Sequence, residues 1–341
     1  MKKNKPYIIA EIGINHEGKL DYIKKLIYAA KRSGADAVKF QIFKAESLAD
    51  KNSKVKKFYY NKKINETLYE MWKRLELDQV KLKTINNLAR ILKIDLIFSI
   101  FDIESLKKLK NVRYKYIKVA SSDINDFPLL KKLKKSKKKF IVSTGMANLN
   151  EIKKTVTFLN RKNIYLLHCV SLYPCPANKI NISRMLTLKK KLGINVGFSD
   201  HSIGINACLL ALSEGANIIE KHFTLNKKSD GPDHNLSANE KDLESICNFA
   251  KSISILSGTG KINPTREELK IKKIARKSVY VKETIVKNGR FTYKNLEIRR
   301  PEGFFDPILL DQIINKKSLK NIDVGTNLKN IHIKNYPQKS K

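Results

Sequence analysis

The sequence predicts an α/β fold in which a (β/α)8 TIM barrel is followed by a small, mostly β module. Eight short apolar segments alternate with amphipathic helical segments from the N-terminus onward. This alternation is typical of parallel strands that are covered by helices. Eight such units in about 250 residues match the size of a closed barrel. Polar side chains at the ends of most strands favour the barrel over a doubly wound sheet, which is the structural alternative.

The predicted strands are short runs rich in Ile, Val, Leu and Phe. They are Tyr7–Ile12, Ala37–Gln41, Asp95–Ser99, Tyr116–Ala120, Phe140–Thr144, Ile164–Cys169, Asn195–Ser199 and Ile218–Phe223. The predicted helices follow the apolar spacing of an amphipathic helix. They are Tyr22–Ser33, Thr67–Leu92, Ile103–Lys110, Pro128–Lys135, Leu149–Asn160, Ser183–Leu192, Ile205–Glu214 and Glu240–Ile255.

The pattern changes after the last of these helices. Gly, Pro and Thr residues mark a linker around a short basic helix, Arg266–Arg276, and short strand fragments with frequent turns follow. We assign residues 1–258 to the barrel, 259–276 to the linker and 277–335 to the β module. A module of about sixty residues is small for independent stability, so we expect it to dock or to exchange within a dimer. The tail from Asn335 is expected to be frayed.

The 341-residue chain carries a formal net charge of +37. Such a charge would suit a nucleic-acid partner, because phosphate neutralisation drives that binding. However, the basic residues are 58 Lys and 11 Arg, and they are spread along the whole chain. Readers of phosphates and bases favour Arg, and Lys, Ile and Asn share A/T-rich codons. We therefore predict no nucleic-acid partner, and expect only that a positive field attracts small anionic substrates.

Four cysteines without a CxxC pair indicate neither a disulfide framework nor a zinc site. No apolar run is long enough to cross a membrane or to form the core of a signal peptide. We therefore expect a cytoplasmic protein without a membrane partner.

Polar side chains follow almost every predicted strand, and in a barrel they converge on one mouth. They are Glu11, Lys39, Gln41, Ser99, Lys118, Ser121, Ser143, Thr144, His168, Ser199, His201 and His222. Buried charges are costly unless they are paired or bind a ligand, so the set indicates a functional site.

Two lysines at neighbouring strand ends, Lys39 and Lys118, predict an anion cradle together with the nearby serine hydroxyls. A phosphate or a carboxylate would suit it; the alternative is that these lysines pair with Glu11 or Asp123. His201 and His222 follow adjacent strands and could bind one divalent ion, or simply hydrogen-bond to each other. The polar loop 229–234 either supplies Asp acceptors for polyol hydroxyls or caps the next helix.

Eight sequence words, in order, resemble the sialic acid synthase family, which comprises N-acetylneuraminate synthases and relatives that make other nonulosonic acids. The words are Ile9-Ala10-Glu11-Ile12-Gly13-Ile14-Asn15-His16, Val38-Lys39-Phe40-Gln41, Tyr116-Ile117-Lys118-Val119-Ala120-Ser121, Ser143-Thr144-Gly145-Met146, Leu166-Leu167-His168-Cys169, Gly197-Phe198-Ser199-Asp200-His201-Ser202, Glu220-Lys221-His222-Phe223-Thr224 and Gly231-Pro232-Asp233-His234. The C-terminal module is similar to the antifreeze-like (SAF) domain of these enzymes.

The resemblance implies that phosphoenolpyruvate condenses with an N-acetylated hexose to give a nine-carbon 2-keto acid and phosphate, with Mn²⁺ or Mg²⁺. It implies a metal at His201 and His222, and catalytic roles for these two residues, Glu11 and Asp123. Asp123 stands where bacterial relatives often carry Glu, and its shorter side chain changes its reach. The implied phosphoenolpyruvate-binding residues are Lys39, Lys118, Ser121, Ser143 and Ser199, and the implied sugar-binding residues are Gln41, Tyr173, Asp233 and Arg300.

The family further implies a domain-exchanged homodimer, in which Arg300 completes the partner's site. We expect N-acetylmannosamine as the sugar. The leading alternative is a legionaminic or pseudaminic acid synthase that uses a 2,4-diacetamido-hexose. A 3-deoxy-octulosonate phosphate synthase would lack the C-terminal module, and a nucleic-acid-binding or pseudo-enzyme role would not need the polar strand ends.

Overall fold

The computed structural model describes residues 5–52 and 66–336. Eight parallel strands form a closed barrel in chain order, and β8 pairs with β1, which confirms the predicted fold class. The strands are β1 Tyr7–Gly13, β2 Ala37–Ile42, β3 Asp95–Ile100, β4 Tyr116–Val119, β5 Lys139–Ser143, β6 Ile164–Cys169, β7 Val196–Asp200 and β8 Ile218–His222. Within the described ranges, no helix is long and apolar enough to cross a membrane.

Helices alternate with the strands of the barrel. They are α1 Leu20–Arg32, α2 Ala45–Leu48, α3 Leu68–Leu75, α4 Gln79–Leu92, α5 Ile103–Lys108, α6 Phe127–Lys134, α7 Leu149–Leu159, α8 Ala177–Ile180, α9 Ser183–Leu192, α10 Asn206–Ser213 and α11 Glu240–Leu256. The main hydrophobic core lies between these helices and the outer faces of the strands.

The predicted single helix Thr67–Leu92 is wrong, because the structure has two helices there. The backbone leaves the helical region at Glu76, where ψ is 138°. Asp78 then caps α4, since its carboxylate accepts a hydrogen bond from the backbone N–H of Lys81. Such a cap satisfies an N–H group that has no partner within the helix. The continuous apolar spacing concealed this interruption.

The interior of the barrel changes character along its axis. Near the amino ends of the strands it is filled by an apolar layer, Ile9, Ala37, Ile97, Ile141, Leu167 and Ile218, against which three tyrosines pack. The Tyr116 ring meets the rings of Tyr7 and Tyr165 edge to face, with centroids 6.1 and 5.7 Å apart. One alternation further along the strands, the inward side chains become polar, since successive side chains on one face are two residues apart.

A bulge in β1 shapes this transition. The pairing of β1 with β2 shifts register between Glu11 and Gly13, and Gly13 has φ of +54°. A Cβ atom at Gly13 would lie 2.9 Å from Glu11 Oε1. Glycine is therefore required here, both for the left-handed backbone and for the space that the Glu11 carboxylate occupies.

The chain divides into two compact units, residues 1–259 and 260–341. The second unit contains α12 Arg266–Ala275, an antiparallel pair formed by β9 Ser278–Val281 and β10 Leu296–Arg299, and the short helix α13 Leu310–Ile313. It has its own apolar core, which includes Val279, Val281, Phe291 and Phe305. The tail that was predicted to be frayed begins at Asn335, and its residues 337–341 lie outside the described residues.

Candidate active site

A cavity of about 520 Å³ opens at the carboxyl ends of the barrel strands. The structure brings together there all the barrel residues for which the sequence predicted a catalytic, substrate-binding or metal-binding role, except Asp123. The cavity is lined by Glu11, Ile14, Lys39, Gln41, Trp72, Ser99, Phe101, Lys118, Ala120, Ser121, Ser122, Ser143, Met146, Cys169, Ser171, Tyr173, Ser199, His201, Glu220, His222, Pro232 and Asp233. Arg300 is an exposed residue of the second unit.

Two expected rim residues do not face the cavity. His168 alternates with Leu167 and Cys169 along β6, so its ring lies on the outer face against Phe198. Its Nε2 atom is 2.8 Å from the carbonyl oxygen of Ile180. The Thr144 hydroxyl donates to the carbonyl oxygen of Leu167 at 3.1 Å, so Thr144 links β5 to β6. Position near a strand end was an incomplete criterion, because the direction of the side chain also matters.

Lys39 and Lys118 lie at the base of the cavity, with side chains only 4% exposed. Lys39 Nζ lies 2.9 Å from Glu11 Oε1 and donates to the Ser99 hydroxyl at 3.0 Å. This is one of the ion pairs considered from the sequence. Lys118 Nζ donates to the carbonyl oxygen of Val119 at 3.1 Å. Lys118 thus lies close to the cavity without a tight carboxylate partner among the described residues.

Glu220 is a buried cavity residue that the sequence reasoning missed. Its Oε1 atom accepts a hydrogen bond from the Ser199 hydroxyl at 2.9 Å and lies 3.7 and 3.8 Å from the ammonium groups of Lys39 and Lys118. Alternation along β8 could have found it, because Glu220 lies two residues before His222 and shares its inward face. Glu220 therefore balances the charge of both lysines.

The charges at the base of the cavity shift one another's pKa values. Burial raises the pKa of Glu11 above its usual value, although Lys39 opposes the shift. Burial acts in the same direction on Glu220, but the fields of Lys118 and Lys39 and the Ser199 hydrogen bond outweigh it, so its pKa is lowered. Burial lowers the pKa of Lys118. An added anion would favour the charged form of this lysine.

Several buried polar atoms at this base have no hydrogen-bond partner among the described residues. They are Glu11 Oε2, Ser143 Oγ, Ser171 Oγ, Glu220 Oε2 and His222 Nδ1. Buried polar atoms in native proteins are normally paired, so a cluster of unpaired ones indicates where a ligand or water binds. The donors and acceptors in this cluster suit a small polar molecule with anionic groups.

The two cavity histidines lie side by side, with ring centroids 5.4 Å apart. His201 Nδ1 donates to the carbonyl oxygen of Val170 at 2.8 Å, so that in the neutral ring Nε2 is the nitrogen with the lone pair. Burial opposes the charged form of His201, but Cys169 and this carbonyl outweigh it and raise its pKa. Burial, reinforced by the charge of His201, lowers the pKa of His222 well below its usual value. His222 is therefore neutral at pH 7.

This pair fits a catalytic divalent ion. Both imidazoles keep a nitrogen available, and His222 Nδ1 is buried without a hydrogen bond. Within the described residues, no group of three or more His, Cys, Asp and Glu side chains could hold a metal. Two protein ligands would leave coordination positions for water and a substrate, as catalytic sites require.

Three further side chains line the cavity beside the histidines or Glu11. The Tyr173 ring stacks on His201 with centroids 4.1 Å apart, and the carboxylate of Asp233 lies 3.6 Å from His222 Nδ1. Gln41 donates to Glu11 Oε1 at 3.1 Å. Asp233 belongs to a loop anchored by the fully buried His234, which contacts Thr224 and Glu17. The loop therefore both presents Asp233 and closes against the barrel.

Asp123 follows β4 in a short 3₁₀ turn, and its carboxylate accepts a hydrogen bond from the Ser122 hydroxyl at 2.9 Å. Its neighbours Ser121 and Ser122 line the cavity. Burial raises the pKa of Asp123 to about 6, although Lys118 lowers it. The carboxyl group can therefore gain or lose a proton near neutral pH.

Lys221 lies between Glu220 and His222 on β8 and forms a buried ion pair outside the cavity. It lies on the outer face of β8, where its ammonium group is 2.8 Å from Asp200 Oδ2 and contacts the carbonyl oxygen of Ser202. Cys208 on α10 donates to the same carboxylate. Both charged side chains are almost fully buried. The ion pair therefore joins β7, β8 and α10 behind the histidines.

Replacing Lys221 by Met should lower the free energy of unfolding by about 3–5 kcal/mol, because it leaves Asp200 buried without a counter-charge. Urea denaturation followed by circular dichroism measures this loss. The double variant Lys221→Met with Asp200→Asn should recover part of it. An unchanged denaturation midpoint in the single variant would contradict the assignment.

The family model that matches the chain and two similar relatives all belong to one group of synthases. The model of the NeuB family matches residues 26–262. The chain is 39% identical over 325 residues to the N,N'-diacetyllegionaminic acid synthase of Campylobacter jejuni, covering 93% of this chain and 97% of that protein. It is 36% identical over 337 residues to the synthase of the same name from Legionella pneumophila, covering 96% and 94%.

A solved structure has the same fold. It is that of the N-acetylneuraminic acid synthetase of Leptospira borgpetersenii, determined in complex with citrate, with a TM-score of 0.71 and 32% identity. The match covers 79% of this chain and 90% of that one.

Proposed function

The chain belongs to the NeuB family, and from this membership and the polar cavity we propose that it condenses phosphoenolpyruvate with an N-acetylated hexose. Its relatives are synthases of nonulosonic acids, and the chain is an enzyme of this carbon–carbon bond-forming type. The products are a nine-carbon 2-keto acid and phosphate. The observation that supports this function most directly is the pair of buried lysines beside unpaired Ser and Glu oxygens at the closed base of the cavity.

We propose a 2,4-diacetamido-hexose as the sugar, which makes the enzyme a legionaminic acid synthase. The sequence expectation placed N-acetylmannosamine first. Two relatives that match over almost their whole length carry the legionaminic name, and this similarity favours the alternative. N-acetylmannosamine remains the second candidate, because the solved structure above is a sialic acid synthetase at 32% identity.

Phosphoenolpyruvate would bind at the base, with its phosphate and carboxylate facing Lys39 and Lys118. The hydroxyls of Ser121, Ser143 and Ser199 supply directional hydrogen bonds to the same anion. The anion would compete with Glu11 and Glu220 for the two lysines. The sugar would lie above it, with Gln41, Tyr173 and Asp233 around its hydroxyl groups. Both substrates then share one cavity, which supplies the proximity that a bimolecular condensation needs.

His201 and His222 would hold the divalent ion, and their imidazole donors favour Mn²⁺ over Mg²⁺. When bound, such an ion supplies Lewis-acid polarisation of the sugar carbonyl. The Val170 carbonyl holds the tautomer of His201. The Asp233 carboxylate lies 3.6 Å from His222 Nδ1, beside the nitrogen that would bind the ion.

The enol carbon of phosphoenolpyruvate bonds to the aldehyde carbon, and the aldehyde oxygen takes up a proton. Water then adds to C2, and cleavage of the bond between C2 and the phosphate oxygen releases phosphate and leaves the keto group. Glu11 lies beside this centre, and its unpaired Oε2 atom is available to accept a hydrogen bond from the water. Lys39 keeps the Glu11 carboxylate in place through Oε1. Asp123, with its pKa of about 6, is suited to take up or release a proton at the rim.

The direct test is a phosphate-release assay. Purified protein would receive phosphoenolpyruvate and Mn²⁺ with a 2,4-diacetamido-hexose or with N-acetylmannosamine. We expect phosphate release with the diacetamido sugar at the higher kcat/KM. Absence of release with both sugars would refute the synthase function, and faster release with N-acetylmannosamine would refute the choice of sugar.

Replacing Asp123 by Asn should lower kcat at pH 8 by about a hundredfold, as for loss of a proton-transfer group. The kcat of the wild type should change through pH 6, and the variant should lack this inflection. Stability gives an independent readout, because the pKa of this carboxyl is about 6 in the folded protein and about 3.9 in an unfolded chain. Wild-type stability should therefore fall as pH rises from about 4 through 6, and the Asn variant should not show this loss. An inflection that persists in the variant would exclude Asp123 as its source.

We also propose that the second unit is an antifreeze-like domain and that the enzyme is a domain-exchanged homodimer. None of the residues of α12 is buried, and Leu269, Ile271 and Ile274 on this helix are 43, 62 and 72% exposed. An apolar helix surface of this kind suits a contact with a second copy. In that dimer Arg300 would reach the sugar of the partner's barrel.

Complementation tests the dimer. Arg300→Ala and His222→Ala variants should each be inactive alone. Mixed dimers, formed by unfolding and refolding the two together, should regain about a quarter of wild-type activity, because half of them are mixed and each has one intact site. Mixtures that never regain activity would contradict the exchange.

A further inference from the structure

One side of the cavity is apolar and is built by an insertion. Between β2 and α4 the chain adds α2 and α3, whereas a loop between a strand and its helix usually needs only about 2–6 residues. Trp72 on α3 lines the cavity together with Ile14, which follows β1, and Phe101, which follows β3. We call these three side chains the Trp72 wall.

The Trp72 wall is firmly supported. The edge of the Trp72 ring meets Phe43 with centroids 5.0 Å apart, and Phe43 in turn packs on Phe101. A capping box at Thr67 and Glu70 starts α3. Arg74 at its other end forms ion pairs with Glu17 at 3.0 Å and with Glu66 at 2.9 Å. The indole is therefore held by packing and by the position of its helix.

The position of the wall in the barrel relates it to the sugar. The histidines that would bind the aldehyde end lie on β7 and β8, and the strands that follow around the closed barrel are β1 and β2. Glu11 and Gln41 face the cavity on those two strands, and the Trp72 wall lies beyond them. A hexose whose aldehyde lies at His222 thus extends past Gln41 towards this wall.

We propose that the Trp72 wall receives the methyl of the 4-acetamido group, where N-acetylmannosamine has a hydroxyl. The wall would thereby select a 2,4-diacetamido-hexose over N-acetylmannosamine, a specificity that rests on the proposed synthase function. An indole face packs well against methyl groups. A hydroxyl at the same position would lose its hydrogen bonds to water without finding a partner. The wall therefore favours one sugar and disfavours the other, which is how specific sites usually discriminate.

Steady-state kinetics with both sugars tests the selectivity. Trp72→Ala should lower the ratio of kcat/KM for a manno-configured 2,4-diacetamido-hexose to that for N-acetylmannosamine by about tenfold, a size expected for one buried methyl contact plus relief of the hydroxyl penalty. Trp72→Phe should keep most of the ratio. Leu75→Ala is the matched control, because Leu75 is buried in the same apolar cluster but does not line the cavity. An unchanged ratio in Trp72→Ala, or an equal fall in Leu75→Ala, would overturn the proposal.

A second measurement needs no turnover and no variant. Trp72 is the only tryptophan of the sequence, so the selectively excited tryptophan fluorescence of the wild-type enzyme reports this wall alone. Adding the diacetamido sugar to the enzyme with Mg²⁺ should shift the emission to shorter wavelength, with the same midpoint as its binding measured by calorimetry. Binding without an emission change would overturn the proposal but not the synthase function. Failure of both sugars to bind, together with no phosphate release, would refute the function itself and this inference with it.

Discussion

Replacing Lys118 by Met should lower kcat/KM for phosphoenolpyruvate about a thousandfold, the size expected when a buried charge that binds an oppositely charged group is removed. Among the described residues, the nearest carboxylate oxygen to Lys118 Nζ, that of Glu220, lies 3.8 Å away, whereas Lys39 lies 2.9 Å from Glu11. Lys118 is therefore the cation with more capacity for an incoming anion. Methionine keeps most of the length and apolar volume of the side chain, and removes the ammonium charge with its N–H donors.

The fall should appear mainly in KM for phosphoenolpyruvate, and the KM for the sugar should change little. Lys139→Met is the matched control, because it removes the same charge at the exposed amino end of the neighbouring strand β5. If both variants lost activity equally, the net charge of the molecule would matter and the position of Lys118 would not. If Lys118→Met kept a normal KM, the anion would bind elsewhere.

Replacing His222 by Ala should abolish detectable turnover, with a loss of at least about a thousandfold, and should weaken Mn²⁺ binding at least about a hundredfold. The remaining imidazole, His201, cannot hold the ion alone. Electron paramagnetic resonance of free Mn²⁺ in the presence of the protein measures this affinity without any substrate. The measurement therefore does not depend on which sugar the enzyme uses.

His168→Ala is the control for this variant. His168 also lies near the end of a barrel strand, but its ring faces away from the cavity and contacts Ile180 and Phe198. This variant should lose stability and keep its Mn²⁺ affinity. Equal Mn²⁺ binding by wild type and His222→Ala would place the metal outside the histidine pair. Chelation of the metal from the wild type should give the same loss of turnover, and added Mn²⁺ should restore it.

The barrel could be predicted from the sequence because each strand is a short apolar run, and all eight lie within a few residues of their predicted positions. Helix limits were less certain, since periodicity gives the buried face of a helix but not the residue at which it stops. Asp78 supplied the necessary signal, an N-cap within the predicted helix Thr67–Leu92, and the apolar spacing on both sides of it concealed that signal.

The candidate site was predictable in outline and incomplete in detail. Strand ends identified most of the cavity residues, but the direction of each side chain separates Glu220 and His222, which face inward, from Lys221 and His168, which face outward. The position of Trp72 at the cavity was not predictable, because it depends on a helix inserted between β2 and α4 that reaches the cavity only in three dimensions. Pattern along one strand cannot reveal such a neighbour.

The tyrosine-lined apolar layer near the amino ends of the strands has a kinetic consequence. It fills the barrel from Ile9 to Ile218 and leaves the mouth as the route by which molecules reach the lysines. In the proposed arrangement phosphoenolpyruvate lies deeper than the sugar, so it must enter first. The sugar would then block its exit, which would commit both substrates to reaction. In that arrangement we expect a cavity with one opening to impose an ordered sequential reaction, in which the nine-carbon product leaves before the inorganic phosphate beneath it.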